Sequence, residues 1–164
     1  MTLARRQPAD AGYCRWMLVR QVSAVAASGA LFALAGLHAA WGAGSAWPFP
    51  SRSELADAVI GTSEVPAPAA CFAVSSALAA AGALVAGWPH GQPALRQVGV
   101  AGVVGVLAGR GALGLSGQTR LVSPAALSER FSRLDRRVYS PLCLALAGAS
   151  ALSAWPADRA PAGA

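Results

Sequence analysis

The run VSAVAASGALFALAGLHAAW, Val22–Trp41, decides the fold. It holds no acid and no arginine, and His38 is its one side chain able to carry a charge near neutral pH. A helix needs about 20 mostly apolar residues to cross the hydrocarbon core of a bilayer. This run therefore predicts a membrane span. It is longer than the usual apolar core of a secretory leader, and three further runs follow it, so it is read as an anchor kept in the protein.

The further runs are Ala67–Trp88, Val98–Leu115 and Val138–Trp155. Arg110 interrupts the third. The fourth is just long enough, and Arg136 and Arg137 must reach back to the headgroups at its start. Trp41, Trp88, Tyr139 and Trp155 fall at the ends of runs, where amphipathic rings prefer to sit. Composition agrees. The 164 residues are 55% hydrophobic and 12% charged, with mean hydropathy +0.47. A soluble domain carries about 25% charged residues, so much of this surface is expected to face lipid.

The net charge of +6 comes entirely from arginine. The arginines flank apolar runs rather than interleave with aromatics on a polar domain. That excludes a nucleic-acid partner and points to the membrane surface. The absence of lysine, with the alanine and glycine load, fits a G+C-rich bacterial genome and the bacterial inner membrane. Cys14, Cys71 and Cys143 are isolated, with no CxxC and no metal-type spacing, so they are read as buried or lipid-facing thiols.

Two long loops, Gly42–Val65 and Ser116–Arg137, lie on one side of a four-span chain. The first contains SRSE, Ser51–Glu54, a capping box. Leu55, Ala56, Val59 and Ile60 then make one apolar face, and Gly61 can end the helix. A short interfacial helix is expected there. The N-terminal Arg5, Arg6, Arg15 and Arg20 favour a cytoplasmic N-terminus, with both long loops outside. In the third span Gly99, Gly102, Gly105 and Gly109 follow helical spacing, which predicts close packing inside the bundle, with dimerisation as the alternative. The expected fold is thus all-α: a polytopic four-transmembrane-helix bundle with a short interfacial helix. Residues 1–21 form a basic tail, 22–155 the membrane domain and 156–164 a disordered tail.

The stretch FSRLDRRVYSPLC, Phe131–Cys143, concentrates charge before the fourth span. On a helix, Phe131, Asp135 and Tyr139 share a face. The arginines are expected to offset Asp135 and the acids of the first loop, holding a polar layer over an apolar bundle. Arg110, costly in a membrane unless it snorkels or is paired, has Glu64, Asp57 or Asp135 as its candidate partner.

LHAAWG (Leu37–Gly42), the proline-bearing first loop and above all FSRLDRRVYSPLC resemble a family of small bacterial four-span membrane proteins known as domain of unknown function 3995. The resemblance runs from about Val22 to Trp155. It implies the four-helix architecture and no established activity. A second likeness, of design rather than motif, is to the small membrane-bound terpene cyclases, which protonate a prenyl chain with carboxylates at the membrane boundary.

Two functional classes follow. The first is an acid-initiated cyclase or isomerase of prenyl chains. Glu64, Asp57 or Asp135 would supply the proton, His38 and Arg110 would tune or orient the acid, and Trp41, Trp47, Phe72 and Tyr139 would line the cavity. A positioned acid, aromatic faces for the cation and a dry cavity are what that chemistry needs. No acidic cluster of the DDxxD kind exists, so no metal and no cofactor is expected. The second class is non-catalytic: a bundle that binds a membrane lipid or prenylated small molecule, or an assembly subunit that forms a homo-oligomer or joins a partner membrane protein.

Overall fold

The computed structural model describes residues 8–118 and 128–155. Among these the regular structure is all helix, without strands. Helix α1 covers Pro8–Gly42, α2 Arg52–Val59, α3 Pro68–Ala86 and α4 Pro93–Leu115. Helix α5, Glu129–Leu134, runs without a break through a π-helical turn, Asp135–Tyr139, into α6, Ser140–Ala154.

Among the described residues, three helices are long and apolar enough to cross a membrane: Gly12–Gly42, Pro68–Ala86 and Pro93–Leu115. Helix α6 has 15 residues and is shorter than a span requires by itself. The first span was expected to begin at Val22, but α1 begins at Pro8 and has 35 residues, about 52 Å of helix. Nothing between Pro8 and Val22 breaks it, so part of the expected tail is helix. The tail expected over 156–164 lies outside the described residues, as do residues 119–127 of the second long loop.

Local chemistry sets the ends of these helices. Pro68 and Pro93 each occupy a first helical position, where the missing N–H costs nothing. Helix α3 ends in a Schellman motif, in which Trp88 N–H bonds Ala83 O and Gly87 N–H bonds Leu84 O. Gly87 takes φ +112°, open to glycine at little cost. Helix α2 starts at Ser51 as its N-cap, with Ser51 Oγ accepting from Glu54 N–H at 3.2 Å, the first half of a capping box.

Packing pairs α1 with α3 and α4 with α6, and α6 also lies along α1. Ala27 and Leu31 of α1, Val85 of α3, Val100 of α4 and Leu146 of α6 form the buried centre. The glycine expectation is corrected here. A Cβ at Gly102, Gly105 or Gly109 would meet nothing within 4 Å, so that stripe faces outward. Only Gly99 of the four is packed, against Leu84. The glycines that let α4 approach α6 are Gly111, against Leu144, and Gly114, where a Cβ would collide with Ser140 Oγ. The stripe was read from spacing alone, and two glycines on a different face make the contact.

A capped helix and a buried pair at one end of the bundle

The end of α1, the start of α3, the end of α4 and all of α2 and α5 gather at one end of the bundle. Gly42 packs against Cys71 and Phe72, Gly61 against Phe131, and Gly114 against Ser140. The polar residues singled out in the sequence fall here, in three separate arrangements.

The first is an ion pair. Arg110 Nη2 lies 2.7 Å from Asp135 Oδ1, and the Asp135 side chain is 2% exposed. Ser140 Oγ donates to the same oxygen at 3.2 Å. Five residues separate Asp135 and Ser140, which an α-helix would rotate well apart. The π turn brings them together, since its bonds run from i to i+5; Ser140 N–H bonds Asp135 O. Arg110 Nη1 is buried without a hydrogen-bond partner. Of the three acids that were candidate partners for Arg110, the structure brings Asp135. Arg133, Arg136 and Arg137 are exposed. Arg136 lies beside Gly117 at the C-terminal end of α4, where the helix dipole favours a cation.

The second arrangement fastens α2 to α5 and the π turn. Tyr139 OH donates to Ala58 O at 3.0 Å. Ser128 N–H donates to Gly61 O at 3.1 Å, and Ser128 Oγ donates to Asp57 O at 3.3 Å while accepting from Phe131 N–H at 3.1 Å. Arg130 and Asp57 add a partly exposed ion pair at 3.6 Å, worth little by itself. Gly61 sits at φ +73°, and a Cβ there would press on Phe131 at 3.0 Å. Neither the left-handed backbone nor the space admits a larger residue readily.

The third arrangement is an apolar cavity of about 130 Å³ beneath α2. Its roof is Leu55, Ala56, Val59 and Ile60, the face read from the sequence. His38 and Trp41 of α1 form one wall, and Val65, Pro66, Ala70, Cys71 and Val74 the other. Ala70 and Val74 are exposed on α3, so the cavity opens onto that helix's apolar surface. His38 Nδ1 lies 2.8 Å from Leu34 O. A carbonyl only accepts, so Nδ1 carries the proton. The ring meets Trp41 at 4.9 Å between centroids, and Trp41 Nε1 donates to Trp47 O at 2.8 Å.

The expected site residues therefore do not converge on one cavity. His38 and Trp41 line it, whereas Glu64 is exposed and Asp57 faces Arg130. Asp135 and Arg110 are held by each other. Trp47 is 70% exposed and Phe72 46% exposed. Tyr139 spends its hydroxyl on α2. Sequence reasoning missed Ser128 and Ser140, whose roles depend on backbone carbonyls and on the π turn. Ser128 left one signal, an N-cap serine followed by Glu129 in the first turn. Among the described residues no His, Cys, Asp or Glu cluster could hold a metal ion.

Apolar helices of spanning length, closed at one end by a capped short helix and a buried charge pair, are the makings of a small helical membrane protein. The chain belongs to the family described as protein of unknown function (DUF3995), whose model matches residues 31–150. That match covers the cavity, the ion pair and the contacts that hold α2. No curated protein and no solved structure matches the chain, and the likeness to terpene cyclases gains no support.

Proposed function

We propose that this is a four-span membrane protein that binds the end of a hydrocarbon chain, from a membrane lipid or a prenylated small molecule, without transforming it. Supporting the fourth span, Val138 to Ala154 is a continuous helical run without a charged residue, at the lower end of the roughly 17–25 residues that cross a bilayer. Helix α6 also packs along α4 and α1, both of spanning length. A four-span chain puts α2 at the membrane boundary as an interfacial helix, with both long loops outside the bacterial inner membrane.

The observation that carries the binding reading is the cavity under α2. It is apolar, opens onto the α3 surface and has no carboxylate in its lining. Acid-initiated cyclisation needs a proton donor at the reacting carbon, and none of Glu64, Asp57 and Asp135 is placed there. Size points the same way. A dry cavity of about 150 Å³ holds benzene, so about 130 Å³ holds a ring or five to six carbons of a chain. A cyclase must enclose the whole chain that it folds.

The test is mass spectrometry of lipids retained by the purified protein. The parent should retain a hydrocarbon-chain species, unaltered, that an Ala70→Phe variant loses. A ring-closed product made by the parent would instead support the cyclase reading. One observation favours a subunit role alongside binding: Gly102, Gly105 and Gly109 present bare backbone to open space. Another membrane helix, from a second copy or a partner, packs closely on such a surface.

A further inference from the structure

We propose that α2 is a lid over the cavity and that Tyr139 and Ser128 are its latch; the proposal rests on the cavity being a binding site. Helix α2 has eight residues, and four residues at its level, Leu55, Ala56, Val59 and Ile60, form the cavity roof. A helix this short has little stability of its own. What holds it down is therefore what it touches.

Its two ends are held differently. Near its start, Arg52 Nη1 donates to Trp41 O at 3.3 Å, tying it to the end of α1. Past its middle, backbone carbonyls of Asp57, Ala58 and Gly61 accept from Ser128 Oγ, Tyr139 OH and Ser128 N–H. These three bonds come from the α5 side, away from the cavity. Breaking them leaves, among the described residues, only the partly exposed Arg130–Asp57 pair, worth little by itself, on the C-terminal half of α2, while Arg52 still anchors its start. The roof then swings from the start of α2, and the cavity opens toward the boundary as well as toward the α3 surface. The charged stretch before α6 thus acquires a second task. It pairs Asp135 with Arg110 and holds the lid by Tyr139.

The protein contains its own reporter. Cys71 lines the cavity, is 5% exposed and packs against Leu55 of the roof. Cys14 is exposed and Cys143 half-buried outside the cavity. The experiment is N-ethylmaleimide labelling of the full chain in nanodiscs, read cysteine by cysteine by mass spectrometry. Tyr139→Phe removes one latch bond and little else. It should raise the Cys71 labelling rate about fivefold, the shift expected from the net worth of one hydrogen bond, with Cys14 and Cys143 unchanged. Adding Ser128→Ala should raise it further. Hydrogen exchange should quicken in α2 and not in α6. Equal Cys71 rates in the parent and both variants would overturn the lid. So would Cys71 and Cys143 accelerating together, which means general loosening. The nanodisc lipid is the same for the parent and the variants, so a difference in Cys71 rate reports the latch and not the ligand. A shifted Cys71 rate in a protein that retains no lipid would leave the lid standing and remove the binding reading, and the reverse pattern would do the opposite.

Discussion

Arg110 and Asp135, brought together from α4 and the π turn, meet at 2.7 Å with Ser140 on the same carboxylate oxygen. Removing one member of a buried pair leaves the other without compensation, at about 3–5 kcal/mol. Arg110 keeps 30% of its side chain exposed, which argues for the low end. Asp135→Asn and Arg110→Gln should each lower stability by about 3 kcal/mol. Combining Asp135→Asn with Arg110→Gln should cost clearly less than the two single changes summed, since no charge is then stranded. Denaturation of the four proteins in detergent checks this. Additive losses would mean that the two residues do not work as a unit.

The glycines of α4 should divide by face. Gly114→Ala and Gly111→Ala push into Ser140 and Leu144, and overpacking of that kind costs about 1–3 kcal/mol. Gly105→Leu and Gly109→Leu meet open space and should leave thermal unfolding of the monomer unchanged. If the protein self-associates through that face, the same two variants should shift its mass by size-exclusion with light scattering.

Much of this end of the molecule was legible in the sequence. SRSE marked the start of α2, and the apolar spacing after it marked the cavity roof, because capping and periodicity are local. Arg110 could be assigned a carboxylate partner because an unpaired charge is so costly in an apolar run. Which carboxylate was not legible. That depends on the π turn, which rotates Asp135 and Ser140 together and has no sequence signature here. The latch was hidden for another reason: its acceptors are backbone carbonyls, which every residue has. The glycine stripe misled because spacing shows that residues share a face without showing which way the face points.

Topology gives a separate check. Ser53 at the start of α2 and Ser116 after α4 are both exposed at the same end of the bundle. Cysteines introduced at these two positions, in a chain lacking Cys14, Cys71 and Cys143, should label from one side of the membrane. A cysteine at His90, in the α3–α4 link, should label from the other. Opposite labelling of Ser53 and Ser116 would remove the four-span arrangement.

The most direct measurement of the binding claim is photolabelling in nanodiscs with a fatty acid that carries a diazirine at its methyl end. The chain end should react within the cavity, giving adducts on the peptides that contain His38, Leu55–Ile60 and Val65–Val74. Ala70→Phe, which closes the mouth, should abolish them. Adducts spread over the exposed Val22, Val98 and Val106, and unchanged in Ala70→Phe, would show lipid contact with the outer surface alone and contradict the account.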